Sequence, residues 1–285
     1  MLSIITVAKG RYSIFSEAID NLWSLAYDPH NIEHIIAYDA GDKNMETFLK
    51  QYQQKYHPYK IIIVAVELPL CAECNVVHYE LRNLHRDYWN PIARGAKGDV
   101  ILGMPNDAII ESKDFDRIIL SEVARQRKSS AHSYFQILVD DSSLHNKEEY
   151  RRDEECDFCH YIILSKEAVS VFGGICPNEI VLEKGDVLVY NIFKNALNND
   201  CQIDLRNKIS IRNVSHHTEG VDVDHVTLSH PVERPVNLEE LELSYGIKLD
   251  YLILKQKKWV KNEISKFNSN WKTLKNFIPV EGEGS

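Results

Sequence analysis

Residues 3–11 read SIITVAKGR and residues 34–42 read HIIAYDAGD, and the two stretches share one design. In the first, Ile4, Ile5 and Val7 form a compact, β-branched apolar run that stops at Gly10, the signature of a short strand entering a turn. In the second, a strand over His34–Tyr38 ends in Asp39-Ala40-Gly41-Asp42. Between them Ile14, Ala18, Leu22 and Leu25 recur every three to four residues. That period predicts an amphipathic helix, with Ser13 as its N-cap. A helix over 44–56 leads to a third strand at Lys60–Val66, and a helix over 77–95 to a fourth at Asp99–Met104. Strands alternating with helices imply right-handed crossovers and a mainly parallel sheet, so the fold class is α/β.

Ligands of such sheets gather beyond the carboxyl ends of the strands. Lys9-Gly10-Arg11, the 39–42 turn and Asn106-Asp107 all stand at that edge. Each is also ordinary turn chemistry, and it is their coincidence at one rim that points to a site. Further on, the charged stretch 140–157 reads as a long exposed loop. Ser165 caps a short helix that stops at Gly173-Gly174, and a further helix runs from Asp186 through Leu188, Ile192, Phe193 and Leu197. Ile209, Ile211 and Val214 alternate as a strand that delivers His216-His217 at its end.

Composition narrows the classes. With 285 residues and 44% hydrophobic content the chain has the length for one large domain or for one domain plus an appendage. Its longest apolar run, Ile61–Val66, is far short of the ~20 residues that span a bilayer. Lys9 and Arg11 follow the apolar opening rather than precede it, unlike a secretory signal, so the expectation is a cytoplasmic protein. A net charge of -9 argues against a chain built wholly around a phosphate backbone. Residues 248–275 nevertheless carry eight lysines against Asp250 and Glu263. Tyr251, Leu252, Leu254, Trp259, Val260, Ile264, Phe267, Trp271 and Leu274 form a helical apolar stripe among them. That pattern fits a helix packed on its own domain, or one that also touches an anionic surface. Two Cys-x2-Cys pairs, Cys71/Cys74 and Cys156/Cys159, fit either a structural Zn2+ or reduced thiols. Cys176 and Cys201 read as buried thiols.

The order of these signals resembles the family 2 glycosyltransferases of GT-A fold. SIITV followed by a Gly/Arg turn resembles the family's opening, and HIIAYDAG its second strand, which usually ends in Asp-Asp-Gly-Ser. Residues 96–107 resemble the strand leading to its Asp-x-Asp metal motif, here reduced to Asn106-Asp107. Residues 164–174 are similar to its acceptor-side helix, and Asp186 stands where the family places a Glu-Asp pair, with Gly185 in place of the Glu. The resemblance covers residues 2–220. It implies a GT-A-like domain over 1–220; beyond it the apolar stripe reads as part of a helical extension over 221–279, and residues 280–285 read as a disordered tail.

The resemblance further implies a hexosyl- or pentosyltransferase that moves a sugar from a nucleotide-diphosphate donor, a UDP-sugar by preference, to a hydroxyl acceptor, with inversion. The acceptor class stays open among glycan, lipid-linked sugar, protein and modified nucleic acid. Mn2+ or Mg2+ would be held by Asp107 and by His216 or His217, which otherwise read as a strand-end turn and a surface pair. Asp39 would face the nucleobase, with backbone contacts from Thr6 and Ala8, and Asn106 a ribose hydroxyl. Arg94 would pair with the diphosphate, or else serve as a helix-surface charge. Asp186 would be the general base, or else a helix cap. The departures at Asn106 and Gly185 keep a second reading open, a noncatalytic nucleotide-sugar or glycan-binding protein on the same scaffold. Hydrolysis of the donor by water is a third.

Overall fold

The computed structural model describes residues 1–67, 85–130, 132–142, 161–178, 185–196, 201–214 and 238–256. Its first half contains β1 (Leu2–Ala8), α1 (Tyr12–Leu25), β2 (Ile32–Asp39), α2 (Lys43–Lys55) and β3 (Lys60–Val66). A π-helical turn at His85–Trp89 leads into α3 (Asn90–Gly95), then β4 (Val100–Gly103), β5 (Ala108–Ile110) and α4 (Phe115–Ser129). The remainder holds β6 (Gln136–Leu138), β7 (Asp140–Asp141), β8 (Ile163–Ser165), α5 (Lys166–Phe172), α6 (Gly185–Lys194), β9 (Gln202–Asp204), β10 (Ser210–Asn213) and α7 (Leu238–Gln256).

Seven strands make the main sheet, in the order β3-β2-β1-β4-β8-β6-β9. The pairs among β3, β2, β1 and β4 are all parallel, with Leu2 opposite Ile32 on one side and Val100 on the other. β8 runs antiparallel to both β4 and β6, which makes β8 the reversed strand of the seven, and β9 runs parallel to β6. A second sheet, β5-β10-β7, stands beside the first.

Alternation along the central strands builds two cores. Leu2 and Ile4 of β1 join Ile32 and Ile36 of β2 under Phe15, Ile19 and Leu22 of α1, Leu49 of α2 and Phe115 of α4. The opposite face puts Ile5, Ile35 and Ile101 under α3, α5, α6 and α7. Because both faces are covered, these strands read as continuous apolar runs.

Two buried polar groups tie the sheet to its surroundings. His34 is fully buried and lies 2.9 Å from both the Tyr52 hydroxyl and Thr6 Oγ1. Trp23 Nε1 donates to the same Tyr52 hydroxyl at 2.7 Å. Indole only donates, so the Tyr52 hydroxyl oxygen accepts from Trp23, while the tautomer of His34 sets the direction of its bonds to Tyr52 and Thr6. The relay links α1, α2, β2 and β1. Desolvation pushes the His34 pKa down to about 3, so the imidazole is neutral.

Glu33, also fully buried, sits at the amino edge. Its carboxylate accepts from Ser3 Oγ at 2.5 Å and from the Lys97 and Gly98 N–H groups, and forms an ion pair with Lys60 Nζ at 2.5 Å. Burial alone would raise its pKa, but the Lys60 and Ser3 contacts outweigh it and the net shift is downward.

Several expectations shift in detail. The N-cap of α1 is Arg11, not Ser13, because the chain leaves β1 through two left-handed residues, Gly10 and Arg11, and turns earlier than the apolar period suggests. Of the 77–95 helix, residues 85–89 form the π turn, residues 90–95 form α3, and 77–84 lie outside the described residues. Asp140–Asp141, expected in an exposed loop, form β7 with Asp141 buried, paired to Ser210–Ile211 of β10. Residues 143–157 of that loop lie outside the described residues. The short helix from Ser165 forms as read, with Ser165 Oγ accepting from Ala168 N at 3.2 Å and Gly173 closing it at φ 70°.

In the C-terminal part, α7 packs on α5 and α6, with Tyr245 against Phe172 and Lys248 Nζ donating to the Val171 carbonyl. The lysine-rich stretch from residue 257 onward lies outside the described residues, as do residues 280–285. Among the described residues no helix is long and apolar enough to cross a membrane.

Candidate functional site

The carboxyl ends of β1, β2 and β4 supply the rim. β1 passes into Lys9-Gly10-Arg11, and the pairing of β1 with β4 extends one step further through Met104 N to Ile5 O at 2.9 Å. Pro105 then starts a turn closed by Ala108 N on the Pro105 carbonyl at 3.1 Å, with Asn106 and Asp107 inside it. Both side chains are buried, at 7% and 3% residue exposure, although they sit at a strand end. Asn106 Nδ2 donates to the Lys9 carbonyl at 3.1 Å and the Gly10 carbonyl at 3.4 Å, joining the two loops. Asp107 Oδ2 accepts from Arg11 Nη1 in an ion pair.

β10 brings a third segment to the same place. Asn213 pairs with Ala108, and Val214 N donates to the Asp107 carbonyl at 2.9 Å. His216 and His217 follow in sequence two and three residues later and lie outside the described residues. Among the described residues there is no group of three His, Cys, Asp or Glu side chains that could hold a metal ion. The Asn106-Asp107 pair contributes one carboxylate, and that carboxylate already faces a guanidinium. Cys71, Cys74, Cys156 and Cys159 lie outside the described residues, and Cys176 and Cys201 are buried free thiols.

Asp39 ends β2, two strand spacings or about 10 Å from β4 along the rim. Its Oδ1 accepts from Gly41 N at 3.0 Å, while Asp42 Oδ1 accepts from Met45 N at 2.9 Å and caps α2. Asp186 occupies the first turn of α6, half-buried, with Oδ1 accepting from Val187 N at 2.8 Å. The chain leaves α6 for β9, which runs in the direction of β1. α6 lies on the sheet face that also carries α3, α5 and α7.

The other expected residues have different surroundings. The Thr6 side chain points into the core and belongs to the His34 relay, and Ala8 is buried. Arg94 lies at the end of α3, where the chain turns toward the start of β4, and its Nη1 donates to the Gly173 carbonyl at 2.7 Å. Arg11 is the guanidinium that reaches the rim motif. Its signal in the sequence was its position directly after the strand-ending glycine, but no local pattern shows which loop a side chain will cross to.

The mainly parallel central sheet and its flanking helices match solved glycosyltransferases. A mannosyltransferase from Pyrobaculum calidifontis, solved with GDP-Man and Mn2+, aligns with a TM-score of 0.51 and 13% identity over 90% of this chain and 63% of that one. Residues 1–349 of TarS from S. aureus align with a TM-score of 0.52 and 11% identity, over 89% and 65% of the two chains. The chain has a GT-A-like glycosyltransferase fold. It spans a little under two thirds of the length of these two solved chains. No protein-family model and no curated protein sequence matches it.

Proposed function

We propose that the chain is a glycosyltransferase that moves a hexosyl or pentosyl group from a nucleoside-diphosphate donor to a hydroxyl acceptor, with inversion. The observation that carries this reading is the joining of the loops after β1 and β4 at the carboxyl rim of a GT-A-like sheet, with the end of β10 on the same residue, Asp107. The mannosyltransferase that aligns with the chain holds GDP-Man and Mn2+, which supports a nucleotide-sugar donor.

In this reading Asp39 faces the nucleobase, and the diphosphate lies toward Asn106 and Asp107. The acceptor oxygen attacks the anomeric carbon from the side opposite the leaving group, and the new C–O bond forms as the bond to the β-phosphate oxygen breaks. Asp186 takes the acceptor proton. A helix N-terminus favours negative charge, which suits a carboxylate that must be ionised before the reaction. A divalent ion, Mn2+ or Mg2+, when bound, would offset the charge of the departing diphosphate. Asp107 with His216 or His217 would hold it.

A second reading, donor or glycan binding without transfer, is favoured by the structural use of Asn106, whose amide ties loops together where the family places an acid. Calorimetry with a panel of UDP- and GDP-sugars, with and without Mn2+, followed by product analysis, separates the readings. Transfer requires donor binding by wild type and turnover that falls at least about a hundredfold in Asp186→Asn, a loss in the range for removing a general base. Binding without turnover, unchanged by that substitution, supports the binding protein, and free sugar released without acceptor supports hydrolysis.

A further inference from the structure

The loop after β1 carries a cation that the order of motifs does not use. Gly10 and Arg11 have φ of 54° and 55°. For a residue with a Cβ this left-handed conformation costs roughly 1–2 kcal/mol, so Arg11 occupies it against its own preference. The turn sends the Arg11 side chain across to the β4 loop, where Nη1 donates to Asp107 Oδ2. The side-chain exposures differ in a telling way: Asp107 is 5% exposed and Arg11 23%. The acid is the buried partner, and part of the Arg11 side chain stays open to solvent.

The Arg11 guanidinium makes no other hydrogen bond among the described residues, the backbone carbonyl alone accepting from Phe15 N at 2.9 Å. A guanidinium carries five N–H donors in a planar fork and cannot lose its charge. With Nη1 held by Asp107, the remaining donors are presented to an acceptor at the rim, and phosphate oxygens match their spacing. Asn106 steadies the same loop through the Lys9 and Gly10 carbonyls, so the strained turn is fixed before any ligand arrives.

We propose that Arg11 binds the diphosphate of a nucleoside-diphosphate ligand directly, and that Asp107 is the positioning residue that holds its guanidinium in place. The assignment rests on the sugar-transfer reading for the class of ligand. It gives this site a fixed cation of its own, covalently part of the chain, in the loop that follows the first strand.

The test is titration of UDP and GDP into the full-length chain, in excess chelator and again with Mn2+. Wild type is compared with Arg11→Gln, Arg11→Lys and Asp107→Asn, each checked for folding by thermal melting. Arg11→Gln is expected to weaken nucleotide binding at least about tenfold in every condition where wild type binds, as loss of a charge-assisted pair does. Arg11→Lys keeps the charge without the fork, recovers only part of the affinity, and carries the test if the glutamine variant does not fold. Asp107→Asn is expected to weaken binding in chelator as well. An effect of Asp107→Asn confined to the Mn2+ increment would overturn its positioning role. Wild-type binding that Arg11→Gln leaves unchanged overturns the assignment alone. Wild type that binds neither nucleotide, with or without Mn2+, overturns the sugar-transfer reading and this assignment with it.

Discussion

Lowering the pH through the histidine range should destabilise the protein before any carboxylate is protonated, and His34 is the reason. Its pKa falls from the ordinary 6.5 to about 3 because the ring is fully desolvated among Tyr52, Thr6 and Trp23. The unfolded chain binds a proton below about pH 6.5 and the folded chain does not, so stability is complete above that value and lost as pH falls. Each pH unit is worth about 1.4 kcal/mol, which makes the loss near pH 5 about 2 kcal/mol. The carboxylates with lowered pKa, Glu33 and Asp20 among them, lose their contribution only below their unfolded values near pH 4. The window from about pH 6.5 to 5 therefore isolates histidine. Urea titrations across it should show wild type losing stability with this slope, while His34→Gln, less stable at neutral pH, stays nearly flat. Parallel slopes for the two proteins would refute the argument that His34 is held neutral by burial.

Three further substitutions probe the frame around the rim. A Cβ on Gly98 would lie 2.4 Å from Ser3 Oγ, 2.5 Å from Ser3 N and 2.9 Å from the Met1 carbonyl. Gly98→Ala should cost about 1–3 kcal/mol in chemical denaturation, as overpacking against backbone does. Asn90 is fully buried, donates to the Cys176 carbonyl and Asn178 Oδ1, both at 2.7 Å, and accepts from Ile175 N at 2.9 Å. Asn90→Ala strands those groups and should lower stability by about 3 kcal/mol or more, with proteolysis rising in the 174–178 segment. Asn106→Asp, which restores an acid to the rim motif, turns a donor into an acceptor facing the Lys9 and Gly10 carbonyls. It should lower the melting temperature without improving Mn2+ binding; tighter Mn2+ binding with unchanged stability would count against the loop-joining role.

The sheet's first half was legible because β1 and β2 are buried on both faces, β3 is a run of β-branched residues, and the helices between them keep a clean apolar period. β3 and the Ser165-capped helix stand where the sequence puts them. β6, β7 and β9 are two or three residues long, too short for any period to register, and they are defined only by their partners across the sheet. The rim was legible as a place but not as a set of contacts. The β1 face that holds Thr6 turns inward to His34, and the left-handed turn carries Arg11 to Asp107, a residue 96 positions away. A polar residue after a strand announces an edge; which neighbour it meets depends on strand order and on a backbone conformation that the sequence does not favour.

The account turns on whether the rim residues share one ligand, and a crystal structure of the chain soaked with UDP or GDP answers that most directly. The expected result is a nucleoside against the Asp39 turn and a diphosphate within hydrogen-bond distance of Arg11, with the Asp186 turn of α6 facing the open end of the β-phosphate. A nucleotide bound elsewhere on the molecule, or a rim with Asp39, Arg11 and Asp186 facing separate regions of solvent, would contradict it.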